Sequence, residues 1–96
     1  ERELWVPAPN LGLTWSRVSP MVYRFDADAP AGTARVVIDV DGYVLTDSDT
    51  DLQYCTGPEF KLLYHFNYAN TRPIRARAYD QMGNVLETWT GTITNY

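Results

Sequence analysis

An all-β sandwich is the fold class that this 96-residue chain predicts, and three observations predict it. Apolar side chains recur at every second position in run after run, the signature of strands buried on one face. The 3.6-residue spacing of an amphipathic helix is missing almost everywhere. Short stretches of Gly, Pro, Asn and Asp punctuate the runs, as in a sandwich or small barrel. With 45% apolar residues the chain is no disordered segment, and its length supports a single core.

Residues 1–12 read as an irregular lead-in or linker. Pro7 and Pro9 lack the backbone donors that a central strand needs. A first strand is expected over 13–18. In PMVYRFDA, Met21, Tyr23 and Phe25 share one face, with Val22, Arg24 and Asp26 on the other. Pro30 and Gly32 interrupt the chain within DADAPAGT. In ARVVIDVD, Ala34, Val36, Ile38 and Val40 align against Arg35, Asp39 and Asp41. Asp41-Gly42 is a hairpin signal, because Gly accepts positive φ. In EFKLLYHF, Phe60, Leu62, Tyr64 and Phe66 align against Lys61, Leu63 and His65. NYANTRP (67–73) reads as a hairpin loop, with Asn70 suited to the left-handed region. Ile74, Ala76 and Ala78 then align against Arg75, Arg77 and Tyr79. DQMGN closes a further hairpin, with Gly83 its left-handed residue. The last run, NVLETWTGTITNY, offers Trp89 and Ile93 as inward anchors, and Gly91 as the mark of a bulge or bend.

Composition excludes several functions. A net charge of −4 leaves no basic face for counterion release, which argues against nucleic-acid binding. No apolar run approaches the length that spans a bilayer, so no membrane insertion is expected. The chain opens without Met or an apolar signal segment and reads as part of a longer protein. Cys55 is the only cysteine, so neither an internal disulfide nor a CxxC zinc site is available. Cys55 reads as a small semi-buried apolar residue rather than a nucleophile paired with His65, the only histidine. Phosphate-loop, G-x-S-x-G and H-E-x-x-H signatures are all missing, and no enzyme is expected.

The runs ARVVIDVDGYVLTD, FKLLYHF and RPIRARAYDQMGNVL together resemble the bacterial immunoglobulin-like domains strung along secreted and cell-surface proteins. The resemblance rests on Val40-Asp41-Gly42, on the aromatic strand 60–66, and on Ile74-x-Ala76-x-Ala78-x-Asp80 followed by Gly83-Asn84. It covers about two thirds of the chain, from Ala34 onward. It implies one domain of about seven antiparallel strands in two sheets. The 34–40 strand would lie beside the 74–80 strand, so that Asp39 and Asp41 face Arg75 and Arg77 as cross-strand charge pairs. A secreted or cell-surface, non-catalytic accessory module is implied, acting as spacer, stabiliser or protein-docking domain beside neighbouring domains of its parent chain.

Three candidate sites stand beside purely structural readings. Asp47, Asp49 and Asp51 alternate with small polar residues, as in loops that gather oxygen ligands for calcium. They break the EF-hand pattern, with Leu52 at its sixth position and Pro58 at its twelfth. The structural alternative is a solvated acidic loop. Arg75, Arg77 and Tyr79 form a basic and aromatic row that would dock an acidic partner, or be neutralised by the adjacent strand. Trp5, Trp15 and Trp89 raise the question of sugar stacking, with Trp89 assigned to the core. Tyr43, Tyr54 and Tyr68, at or near loops, are the better stacking candidates. The alternative function is therefore a carbohydrate-binding module attached to a hydrolase, with polysaccharide as partner. Beyond calcium no cofactor is expected.

Overall fold

A computed structural model describes residues 11–96. The lead-in at residues 1–10, Trp5 included, lies outside the described residues. Seven strands follow in order: β1 Gly12–Ser19, β2 Val22–Asp28, β3 Arg35–Val40, β4 Tyr43–Val44, β5 Phe60–His65, β6 Asn70–Tyr79 and β7 Val85–Asn95. They form two antiparallel sheets, ordered β1-β2-β5 and β4-β3-β6-β7. Regular structure therefore begins at Gly12, inside the span expected to be irregular, and Leu11 is already buried.

Alternation explains the core. Leu13, Tyr23, Phe25 and Leu62 point inward from the three-stranded sheet. Val36, Ile38, Val40, Ile74, Ala76, Ala78 and Ile93 point inward from the other. Each is nearly or fully buried, and together they form one continuous cluster. Phe60, Tyr64, Trp15 and Trp89 are partly buried and close its margins. Small Ala76 lies opposite large Trp89 in register, so the pair fills one layer.

Turn chemistry is realised at two of the three predicted hairpins. Asp41 and Gly42 both have positive φ, 52° and 80°, as a two-residue type I′ turn requires. Gly83 has φ 87° in the β6–β7 hairpin. There the Asp80 carboxylate accepts bonds from the Met82 and Asn84 amides, which holds its pKa below the usual range, Asn84 contributing most. The third differs. Residues 67–73 do not join paired strands, because β5 and β6 belong to different sheets. Asn70 opens β6 instead, opposite Asn95. The Phe60–Phe66 run pairs with β2, leaving β6 to pair with β3 and β7.

Gly91 marks no bulge. The register shift in the β6–β7 pair falls between Ala78 and Tyr79, where Glu87 and Val85 are the partners. Gly91 makes room instead: a Cβ there would lie 2.6 Å from the Trp89 ring. Trp89 itself is half-buried rather than enclosed, meeting Trp15 edge-on across the sheets with centroids 6.1 Å apart.

The acidic loop after β4 closes the opposite side. Leu45 donates to Ile38, and Cys55 exchanges two backbone bonds with Val36, so the segment runs along the edge of β3 that short β4 leaves bare. Ser48 donates to the Leu63 carbonyl on β5. One loop thus covers strand edges of both sheets, a general device against edge-to-edge association.

Candidate functional site

A cleft of about 290 Å³ opens at one end of the sandwich. The β3–β4 turn contributes Asp41 and Tyr43, β5 and its exit contribute Tyr64, Phe66 and Asn67, and Tyr68 and Arg72 complete the lining over the Val40 and Leu45 side chains. Local rules place each. The type I′ turn folds the chain back directly, setting Tyr43 opposite Val40 and leaving it 72% exposed. The β5 alternation continues past the strand, and the Phe66 amide donates to the Met21 carbonyl, so Phe66 stays inward. Arg72 continues the inward phase of Ile74, Ala76 and Ala78 at the mouth of the sandwich, where a guanidinium is tolerated on aromatic faces.

The arrangement is tightly braced. Arg72 stacks 4.7 Å from the Tyr68 ring centroid and 5.3 Å from that of Phe66. Its Nη1 donates to the Tyr68 hydroxyl at 3.4 Å and its Nη2 to Asn95 Oδ1 at 3.0 Å. Arg72 Nε is buried and has no hydrogen-bond partner among the described residues. Asn95, fully buried, also donates through Nδ2 to the Tyr68 carbonyl at 2.7 Å. Tyr64 and Phe66 meet edge-to-face with centroids 4.9 Å apart. Burial raises the Tyr64 pKa, the neighbouring Tyr43 adds to the rise, and Arg72 opposes it.

Of the aromatic candidates, the cleft unites Tyr43 and Tyr68, while Tyr54 lies on the 45–58 loop outside it. The sequence signal missed Arg72, which reads as one more cation of a basic run. It also missed Asn95, an amide at the end of a Thr-rich strand. The inward phase of β6 extended back by one more step through Ile74 would have found Arg72.

The basic row on the outer face of β6 is largely occupied. Arg75 lies opposite Asp39 and donates from Nε and Nη2 to both carboxylate oxygens, each at 3.1 Å. Asp39 is 6% exposed beneath it and raises the Arg75 pKa, first through the hydrogen bond and then through charge. Tyr79 is covered by Arg35, 4.7 Å from its ring centroid. The expected Asp41–Arg77 pair is not formed. Register sets Arg77 opposite Val37, and Asp41 lies past the strand end, its amide bonded to Pro73. Arg77 Nε is buried and has no hydrogen-bond partner among the described residues.

Asp47, Asp49 and Asp51 share one turn, in which the Asp51 amide donates to the Asp47 carbonyl at 2.8 Å. Asp47 is buried, and its Oδ1 accepts the Asp49 amide at 2.7 Å, while Asp49 and Asp51 are exposed. Among the described residues no group of three His, Cys, Asp or Glu side chains is placed to hold a metal ion. Cys55 is buried, with Sγ 3.5 Å from the Val36 carbonyl, and burial pushes its thiol up to about 12. His65 is exposed on β5, in the other sheet from the strand that Cys55 bridges.

No family model, curated protein or solved structure matches this chain.

Proposed function

We propose that the chain is an immunoglobulin-like, non-catalytic module of a larger secreted or cell-surface protein, acting as a spacer, stabiliser or docking domain. The observation that supports this reading best is the strand order β1-β2-β5 over β4-β3-β6-β7, in which the chain changes sheet after the second, fourth and fifth strands. An immunoglobulin-type sandwich likewise keeps its first, second and fifth strands in one sheet and its third, sixth and seventh in the other; here the fourth strand joins the third. The antibody hallmarks, an inter-sheet disulfide and a tryptophan on the third strand, are replaced by a single buried Cys55 and by Trp15 and Trp89 on the first and last strands. Fold alone does not fix function. The test is to delete the segment from its parent chain, and to assay the isolated segment. The reading expects a lowered Tm in a neighbouring domain, or loss of a saturable complex with it, and no turnover of chromogenic esters, glycosides or peptides by the segment alone. Turnover by the isolated chain, or neighbours indifferent to the deletion, would contradict it.

A second reading, a carbohydrate-binding module attached to a hydrolase, is favoured by the shared position of Tyr43 and Tyr68 in one cleft. Sugar rings present C–H groups to aromatic faces, and exposed tyrosines supply such faces with little ordering cost.

A further inference from the structure

Resting on the carbohydrate reading, we infer that the cleft between the β3–β4 turn and the β5–β6 loop takes one uncharged sugar unit of a neutral polysaccharide. The ring stacks on Tyr43, and its hydroxyls are shared between the Asp41 carboxylate and the Arg72 guanidinium.

Three observations carry this. Among the described cleft aromatics, Tyr43 is the one with neither a ring nor a cation packed against it. Tyr68 and Phe66 carry Arg72, and Tyr64 is set edge-on to Phe66. Tyr43 is also largely exposed at the rim, so its face is open to a ligand.

Charge then selects the ligand. Among the described residues Arg72 has only neutral hydrogen-bond partners, the Tyr68 hydroxyl and the Asn95 amide oxygen, and Asp41 forms no ion pair. The cleft therefore presents one acceptor-only and one donor-only group that do not neutralise each other directly. A carboxylate ligand would suit Arg72 and be repelled by Asp41, and a cation would meet the reverse. A polyhydroxylated neutral ring donates to one and accepts from the other, leaving neither charge opposed.

Size sets the extent. A volume of about 290 Å³ lies at the lower end of small-molecule pockets, near ~300 Å³, which suits one ring rather than a long run of them.

The experiment is a two-dimensional ¹H–¹⁵N NMR titration of the full chain. The probes are hexaoses of β-1,4-linked glucose, xylose, mannose and N-acetylglucosamine, and of α-1,4-linked glucose. Hexagalacturonate forms an acidic arm and a proline-rich peptide a protein arm. Trp15 and Trp89 lie outside the cleft lining, so their fluorescence is not the readout. At least one neutral hexaose should give saturable shifts at residues 40–45 and 64–72. Tyr43→Ala and Asp41→Asn should each weaken that binding by about tenfold or more. Both variants keep the fold, because Tyr43 is exposed and Asn accepts the positive φ of position 41. Neutral-sugar binding unchanged in both variants overturns the inference. Binding of hexagalacturonate alone, tighter in Asp41→Asn, overturns the uncharged ligand and leaves the carbohydrate reading standing. Silence to every saccharide, or binding of the peptide alone, overturns both.

Discussion

Gly91 and Trp89 show how one side chain sets the tolerance of its neighbour. The indole lies over Gly91 on the same face of β7 and is held from the other sheet by Trp15. A methyl group at position 91 has nowhere to go unless that ring moves. Gly91→Ala should therefore destabilise the protein by about 1–3 kcal/mol and shift tryptophan emission, as measured by denaturant melts followed by fluorescence. Cys55 gives a second prediction. Its thiol titrates near an ordinary 9 when unfolded and about 12 when folded, so between those values the folded chain holds the extra proton. Stability present below pH 9 should fall as pH rises toward 12, at about 1.4 kcal/mol per pH unit or less. Cys55→Ala should flatten that slope, and native Cys55 should resist thiol reagents until the chain unfolds. The sequence points to an apolar, half-covered Cys55, because no second thiol and no adjacent base are available; the bridge to Val36 buries it. Trp89 is less enclosed than its phase suggests, since alternation reports which face a residue takes and not how far the opposite sheet extends over it.

Register decides what the strand-level reading of charge was worth. Asp39 and Arg75 were legible as neighbours once the third and sixth strands were paired, and the bidentate bond follows from their places directly across the ladder. Asp41 and Arg77 carry the same charges two residues along each strand. In antiparallel pairing those steps run in opposite directions, so the second pair separates as the first meets. Truncation should show the difference. Asp39→Ala removes a buried carboxylate that anchors Arg75, and should lower Tm by clearly more than Arg77→Ala, read side by side by calorimetry. A larger loss for Arg77→Ala would contradict this register. The 67–73 loop misled for a related reason. Its Asn-rich turn chemistry is the same whether the chain returns within a sheet or crosses to the other one, so local sequence fixes the turn but not its destination. The cleft inherits its Tyr68 and Arg72 walls from that crossing, which is why the loop tyrosines were visible in sequence while their assembly with Arg72 was not.

At the scale of the whole molecule, alternation along seven strands produces two sheets that bury one shared layer, closed on one side by Trp15 and Trp89 and on the other by the 45–58 loop. The proposed module and its cleft both depend on that layer, since the strand ends that frame the cleft come from both sheets. Methyl and aromatic NOE measurements on the labelled chain test it most directly. Cross-sheet contacts are expected from Phe25 and Leu62 on one sheet to Val36, Ile38, Ile74 and Ala76 on the other. Contacts confined to neighbours within each sheet, with Leu62 meeting none of those four, would contradict it.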